Sequence, residues 1–184
     1  LIYNKRIFCI LGISEDTAIV KKSFNYSKYS IINYSLLLRE NEKCLYSLEK
    51  SSLKIKKAKK KDAFLLYPLE KSYLLEEVLV GTNAINQQAA LLNLRKTCST
   101  QFVFYAVSEK KIIAKVNTNG KGLEYYQIGG VYTKPEYRNR GISTLLMKIL
   151  LNEIQTSGKK TVLYVKNENK PALALYKKLG FRIA

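Results

Sequence analysis

The sequence predicts a mixed α/β (α+β) sheet with helices on its faces, preceded by a small N-terminal α/β module. Three observations predict it. Between Gln101 and Thr133, three apolar runs are joined by turn-forming residues, as antiparallel strands are. From Ile142 the order changes to helix, strand, helix and the start of a strand. A lysine-dense stretch, residues 51–62, sets all of this apart from the first sixty residues.

In chain order, the N-terminal module spans residues 1–61 and offers a strand candidate at Arg6–Leu11 and a short apolar helix at Ile31–Leu38. Six lysines crowd Lys54–Lys61, and like charges at that density resist packing, so this run is expected to be a solvated linker. The larger domain, residues 62–184, opens with two helices. In the first, Leu65, Leu69, Tyr73, Leu74 and Val78 share a face and Glu76 and Glu77 lie opposite; the second is "NAINQQAALLNLRKTC". Three strands follow, joined at "SEKK" and "NTNGKG", then a helix over Ile142–Thr156, a strand over Thr161–Val165, a helix over Pro171–Leu179 and a strand beginning at Phe181. Only "FRIA" remains for that last strand, so it is expected to be short or missing.

Composition removes several chemistries. The chain has no His, which eliminates Ser/His and Cys/His catalysis, and its three cysteines, Cys9, Cys44 and Cys98, have no metal-site spacing. No metal is expected, a disulfide framework is not, and proton transfer is left to carboxylates, Tyr, Lys or water. The net charge of +18 invites a nucleic-acid reading. Against it, 26 of the 32 basic residues are Lys in a chain also rich in Asn, Ile and Tyr, a bias that AT-rich coding produces by itself. A nucleic-acid partner is therefore not expected. The apolar start is broken by Asn4, Lys5 and Arg6, so no membrane partner is expected either and a cytoplasmic location is. The chain does not begin with Met, and its ends are left open.

The segment "GGVYTKPEYRNRGISTLLM", residues 129–147, carries the chemistry. Paired glycines inside an apolar strand mark a bulge or a close backbone approach. A bulge at Gly129-Gly130 would splay this strand from its neighbour and leave amides at Val131 and Tyr132 unpaired. Pro135 then ends the ladder, and a helix starts near Ile142. The orphan N–H groups and positive dipole end of that helix suit an anion, and Gly141 lets a phosphate approach closely. An extended ligand with amides along its length and phosphate at one end would fit this slot, as the pantetheine-pyrophosphate of coenzyme A does. Taken alone, the turn reads better as an ordinary basic helix cap.

"VYTKPEYRNRGISTLLM" followed by "TVLYVKNENKPALALYKKLGFR" resembles the GNAT superfamily of acyl-CoA-dependent acyltransferases, including a bacterial subgroup with an additional N-terminal domain. Arg138-Asn139-Arg140-Gly141-Ile142-Ser143 is similar to that family's acetyl-CoA loop, with Ser at the last small position. Asn169, Ala172, Leu175, Tyr176, Lys178, Gly180 and Phe181 match its second motif. The resemblance implies a mostly antiparallel twisted sheet flanked by helices, with acetyl-CoA as cosubstrate. It implies cofactor contacts at Val131, Tyr132, Thr133, Arg138, Asn139, Arg140, Gly141, Ile142, Ser143, Thr144 and Asn169. The activity it implies is N-acetyl transfer by direct attack of a primary amine on the thioester, the amine belonging to a small molecule or a peptide, in a monomer or homodimer.

Three roles then need residues. The Val131 N–H would meet the oxyanion, Tyr176 would protonate the departing thiolate, and a carboxylate or a water path past Tyr125, Tyr126 or Tyr164 would take the ammonium proton. Glu124 is the carboxylate nearest in sequence and stands as the candidate base, with a surface charge as its plain alternative. Tyr176 has a plain alternative too, a packed aromatic, and Asn169 doubles as a helix cap. The competing function is a fold member that binds acyl-CoA as a sensor without turnover.

Overall fold

The structure is a computed structural model and describes residues 9–23, 29–40, 53–79 and 85–184. Cys44, residues 6–8 of the first strand candidate, residues 51–52 of the lysine run and the start of the second expected helix lie outside the described residues. Cys9–Leu11 form no strand. The chain divides into two compact units, Leu1–Ile32 and Asn33–Ala184. In the first, the helix α1 (Ser14–Lys22) has acidic residues in its first turn and lysines in its last, which suits the helix dipole, and buries none of its side chains.

The second unit is built on a sheet that, among the described residues, has seven strands. These are β1 (Tyr34–Arg39), β2 (Lys54–Lys57), β3 (Val103–Ser108), β4 (Lys111–Lys121), β5 (Tyr125–Thr133), β6 (Lys160–Lys166) and β7 (Arg182–Ile183). Their order is β2-β3-β4-β5-β6-β1-β7, and every pair is antiparallel except β5–β6. The mixed, mostly antiparallel sheet expected from the sequence is therefore present. Its membership corrects the expected boundary at residue 61, because β1 and β2 lie before that boundary and belong to this sheet.

Both corrections have physical causes. The run Ile31–Leu38, expected as a helix, is too short for periodicity to separate helix from strand. It folds as β1 because β6 and β7 each offer it a partner edge, and Leu37 is fully buried there. The lysine run is not a linker. Its first four residues form the edge strand β2, in which only Ile55 turns inward, and exposed lysines on an edge discourage pairing with another chain.

Alternation along β3 divides the core into two layers. Phe104 and Ala106 face α4 (Ile142–Gln155), which buries Ile142, Leu146, Met147, Leu150, Leu151 and Ile154 at helical spacing. Val103 and Tyr105 face the other way, toward α2 (Ala63–Tyr73) and α3 (Gln87–Thr100), where Ala63, Leu66, Leu94 and Cys98 complete a smaller cluster. The last helix, α5 (Lys170–Lys178), adds Tyr176 to the larger layer. Helix α2 runs directly into a π-helical turn, Leu74–Val78, closed by the Leu79 N–H bonding to the Leu74 carbonyl at 2.8 Å. Among the described residues no helix is long and apolar enough to cross a membrane.

Candidate active site

The parallel ladder between β5 and β6 ends early. Tyr125 to Ile128 pair with Lys160 to Leu163, and beyond Ile128 the two strands part. On its other side β5 is bulged against β4: Gly129 faces Asn117 and Tyr132 faces Lys115, three residue steps against two, so Val131 has no register partner on either neighbouring strand. Gly130 sits at φ +57, and a Cβ there would overlap Asn117 Oδ1 and Lys115 Nζ, so the position accepts only glycine without rearrangement. The fork expected from the paired glycines exists, and Gly129 to Thr133 form one of its arms.

At the mouth of the fork, a 3₁₀ turn over Pro135–Tyr137 leads to Asn139 at φ +60 and Gly141 at φ +72, and α4 begins. No side chain caps that helix, and the space beside Gly141 is open. Its first amides, those of Ile142, Ser143 and Thr144, have no intrahelical partner, as at any helix N-terminus. The turn is braced from behind, where Thr133 Oγ1 and Ser143 Oγ lie 2.8 Å apart.

The two arginines of the turn are engaged within the protein. Arg138 donates from Nε to the Thr133 carbonyl at 3.0 Å and from Nη2 to Glu76 at 2.6 and 2.8 Å, and Tyr132 Oη donates to the same carboxylate at 3.0 Å. Arg140 Nη2 reaches the Glu136 carbonyl at 3.0 Å. Arg138 thus ties the end of β5 to the π-helical turn, a different use of its charge from direct phosphate contact.

Tyr176 is buried under the sheet, edge-on to Phe181 with ring centroids 5.9 Å apart. Burial, with Tyr73 and Glu77 nearby, pushes its hydroxyl well above the ordinary tyrosine range. It is a protonated hydroxyl at neutral pH, as an acid must be. Asn169 caps α5, accepting from the Ala172 N–H at 3.1 Å, and its Nδ2 lies 3.5 Å from Glu77 Oε1.

Glu124 is not part of this assembly. It is exposed in the turn before β5, seven residues ahead of Val131, which at about 3.3 Å per strand residue puts it on the order of 20 Å from the bulge. The fork instead gains two carboxylates, Glu76 and Glu77, from the π-helical turn; Glu77 Oε2 is 3.7 Å from Lys166 Nζ on the opposite arm. Tyr73, at the end of α2, faces the bulge. Burial raises its pKa to about 12 against a counteracting hydrogen bond from the Gly130 backbone. Sequence reasoning placed Glu76 and Glu77 on the polar face of a helix and stopped there. Lys115 was missed as well, although one signal existed: Lys115, Asn117 and Asn119 recur at every second position after the apolar Ile112–Ala114, a polar seam on one face of a sheet.

The chain is 28% identical over 100 residues to the ribosomal protein bS18 alanine N-acetyltransferase of Salmonella typhimurium, covering 54% of this chain and 60% of that protein. It is 39% identical over 62 residues to mycothiol acetyltransferase of Corynebacterium glutamicum, covering 33% and 20%. The chain thus spans a fifth to three-fifths of the length of these curated relatives. A solved acetyltransferase from Clostridium acetobutylicum with acetyl-CoA shares the fold, with a TM-score of 0.61 at 23% identity over 72% of this chain and 91% of that one. Residues 61–181 match the model of the acetyltransferase (GNAT) family, most of the sheet, the fork and both motifs included, and the chain belongs to that family.

Proposed function

We propose that this protein transfers an acetyl group from acetyl-CoA to a primary amine by direct attack, and that the fork between β5 and β6 is where it does so. The observation that carries the reading is the combination of that fork with an uncapped helix N-terminus at its mouth. Acetyl-CoA supplies an activated acyl thioester. The amides of Ile142, Ser143 and Thr144 hold its pyrophosphate, with Asn139, Arg140 and Gly141 shaping the turn around it. The exposed edge of Val131, Tyr132 and Thr133 hydrogen-bonds to the pantetheine as an added strand would. The Val131 N–H donates to the thioester oxygen, where negative charge develops. Tyr176, neutral and buried, gives its proton to the departing sulfur.

For the base, we assign Glu77 in place of Glu124. An amine arrives at neutral pH as an ammonium, and Glu77 stands on the fork opposite β6, where it attracts the cation and takes its proton. Glu76 is engaged by Arg138, while Glu77, 3.7 Å from Lys166, is the carboxylate left to meet a cationic small-molecule or peptide amine. A coenzyme A release assay against a panel of amines and N-terminal and lysine-containing peptides tests the reading. Saturable release with at least one amine is expected. Tight acetyl-CoA binding without release for any acceptor would leave a sensor.

A further inference from the structure

Among the described charged residues the mechanism leaves unused, Lys115 is the most completely enclosed. Its side chain is 1% exposed at the middle of β4. The ammonium lies 2.8 Å from Glu70 Oε2 on α2, donates to Asn117 Oδ1 at 2.9 Å and to the Gly130 carbonyl at 3.1 Å, and sits 4.7 Å from the centre of the Tyr73 ring. A buried ion pair is seldom more stabilising than a packed apolar pair of the same volume, so stability alone is a weak reason for it. Its placement offers a better one. The Gly130 carbonyl and the Val131 N–H belong to one planar trans peptide and point in opposite directions. At φ +57 Gly130 turns that peptide so that its oxygen meets Lys115, and the N–H is directed away from Lys115. A cation on the oxygen also draws electron density through the amide and makes the N–H a stronger donor.

We propose that Lys115 is a positioning residue for acetyl transfer: by holding the Gly130 carbonyl it aims and polarises the Val131 N–H as the hydrogen-bond donor to the thioester oxygen. The inference rests on the reading above that Val131 is that donor. Glu70 pairs with the ammonium at 2.8 Å, and Asn117 fixes its direction. The glycine at position 130 is then required twice, for its left-handed backbone and for the space that Lys115 and Asn117 occupy.

The test is isotope-edited infrared spectroscopy of acetyl-CoA labelled with carbon-13 at the thioester carbonyl, bound to the wild type and to Lys115→Met combined with Glu70→Gln. The double change avoids a lone buried carboxylate. In the wild type the carbonyl stretch is expected below that of free acetyl-CoA. In the double variant it should move back toward the free value. Turnover with the best amine of the panel should fall roughly tenfold or more, while affinity for coenzyme A itself, which has no thioester, stays within twofold. A purely structural role would not produce that split. A folded double variant with a wild-type band and turnover overturns the proposal. Should the Met variant fail to fold, Lys115→Gln with Glu70→Gln keeps a polar chain without the charge, and an unshifted band there overturns it equally. If the wild type itself binds acetyl-CoA with the free band, the Val131 reading falls, and the proposal with it.

Discussion

The proposed mechanism rests its two proton transfers on Tyr176 and Glu77, and each can be separated from its packing role by one substitution. Tyr176→Phe keeps the ring against Phe181 and removes only the hydroxyl. General-acid contributions are on the order of 10² to 10⁴ in rate, so kcat should drop at least about a hundredfold while acetyl-CoA affinity and Tm barely change. Near-normal turnover would return Tyr176 to the core. Glu77→Gln keeps the shape of the Asn169 and Lys166 contacts and removes the base. Its kcat/KM should fall by a similar factor near neutral pH and recover partly as rising pH supplies free amine from solution; a pH–rate profile parallel to wild type would exclude it. The sequence singles out Tyr176 because it belongs to a motif, and it does not single out Glu77. A carboxylate on the polar side of a helix reads the same whether solvent or a sheet lies beyond it. The π-helical turn that brings it over the fork depends on one widened hydrogen bond, which leaves no composition signature.

At the level of elements, α4 and β5 were readable almost residue by residue. The six buried apolar residues of α4 recur at helical spacing, and the glycine pair announced the bulge in β5. The anion turn between them makes a direct prediction. Gly141→Ala puts a methyl into open space at the mouth of the fork, where the phosphates would lie, and retains the left-handed backbone at a cost of about 1–2 kcal/mol. The buried face of α4 is untouched, so the fold should survive while acetyl-CoA affinity falls at least tenfold by calorimetry. An unchanged affinity would move the pyrophosphate elsewhere. Strands β1 and β2 were not readable in this way. A strand of four to six residues acquires its identity from the edge it pairs with, and for β1 that edge is more than a hundred residues away, at β6.

For the molecule as a whole, the compact unit that carries the sheet is Asn33–Ala184, where composition suggested 62–184. Removing residues 1–61 would take Leu37 out of the core and strip β6 of its antiparallel partner. That truncation should lose its cooperative melt and aggregate, whereas one starting at residue 33 should keep the transition of the sheet-bearing unit. Circular dichroism melts of the two distinguish these outcomes, and a cooperative 62–184 would return β1 and β2 to a separate module. The same sheet order bears on how the chain is made. The partners of β1 are β6 and β7, so an apolar strand translated early has no neighbour on either side until residues 161–166 follow it out of the ribosome. While those intervening residues are made, "YSLLLR" is therefore a sticky segment without a home, and closing the sheet waits for β6.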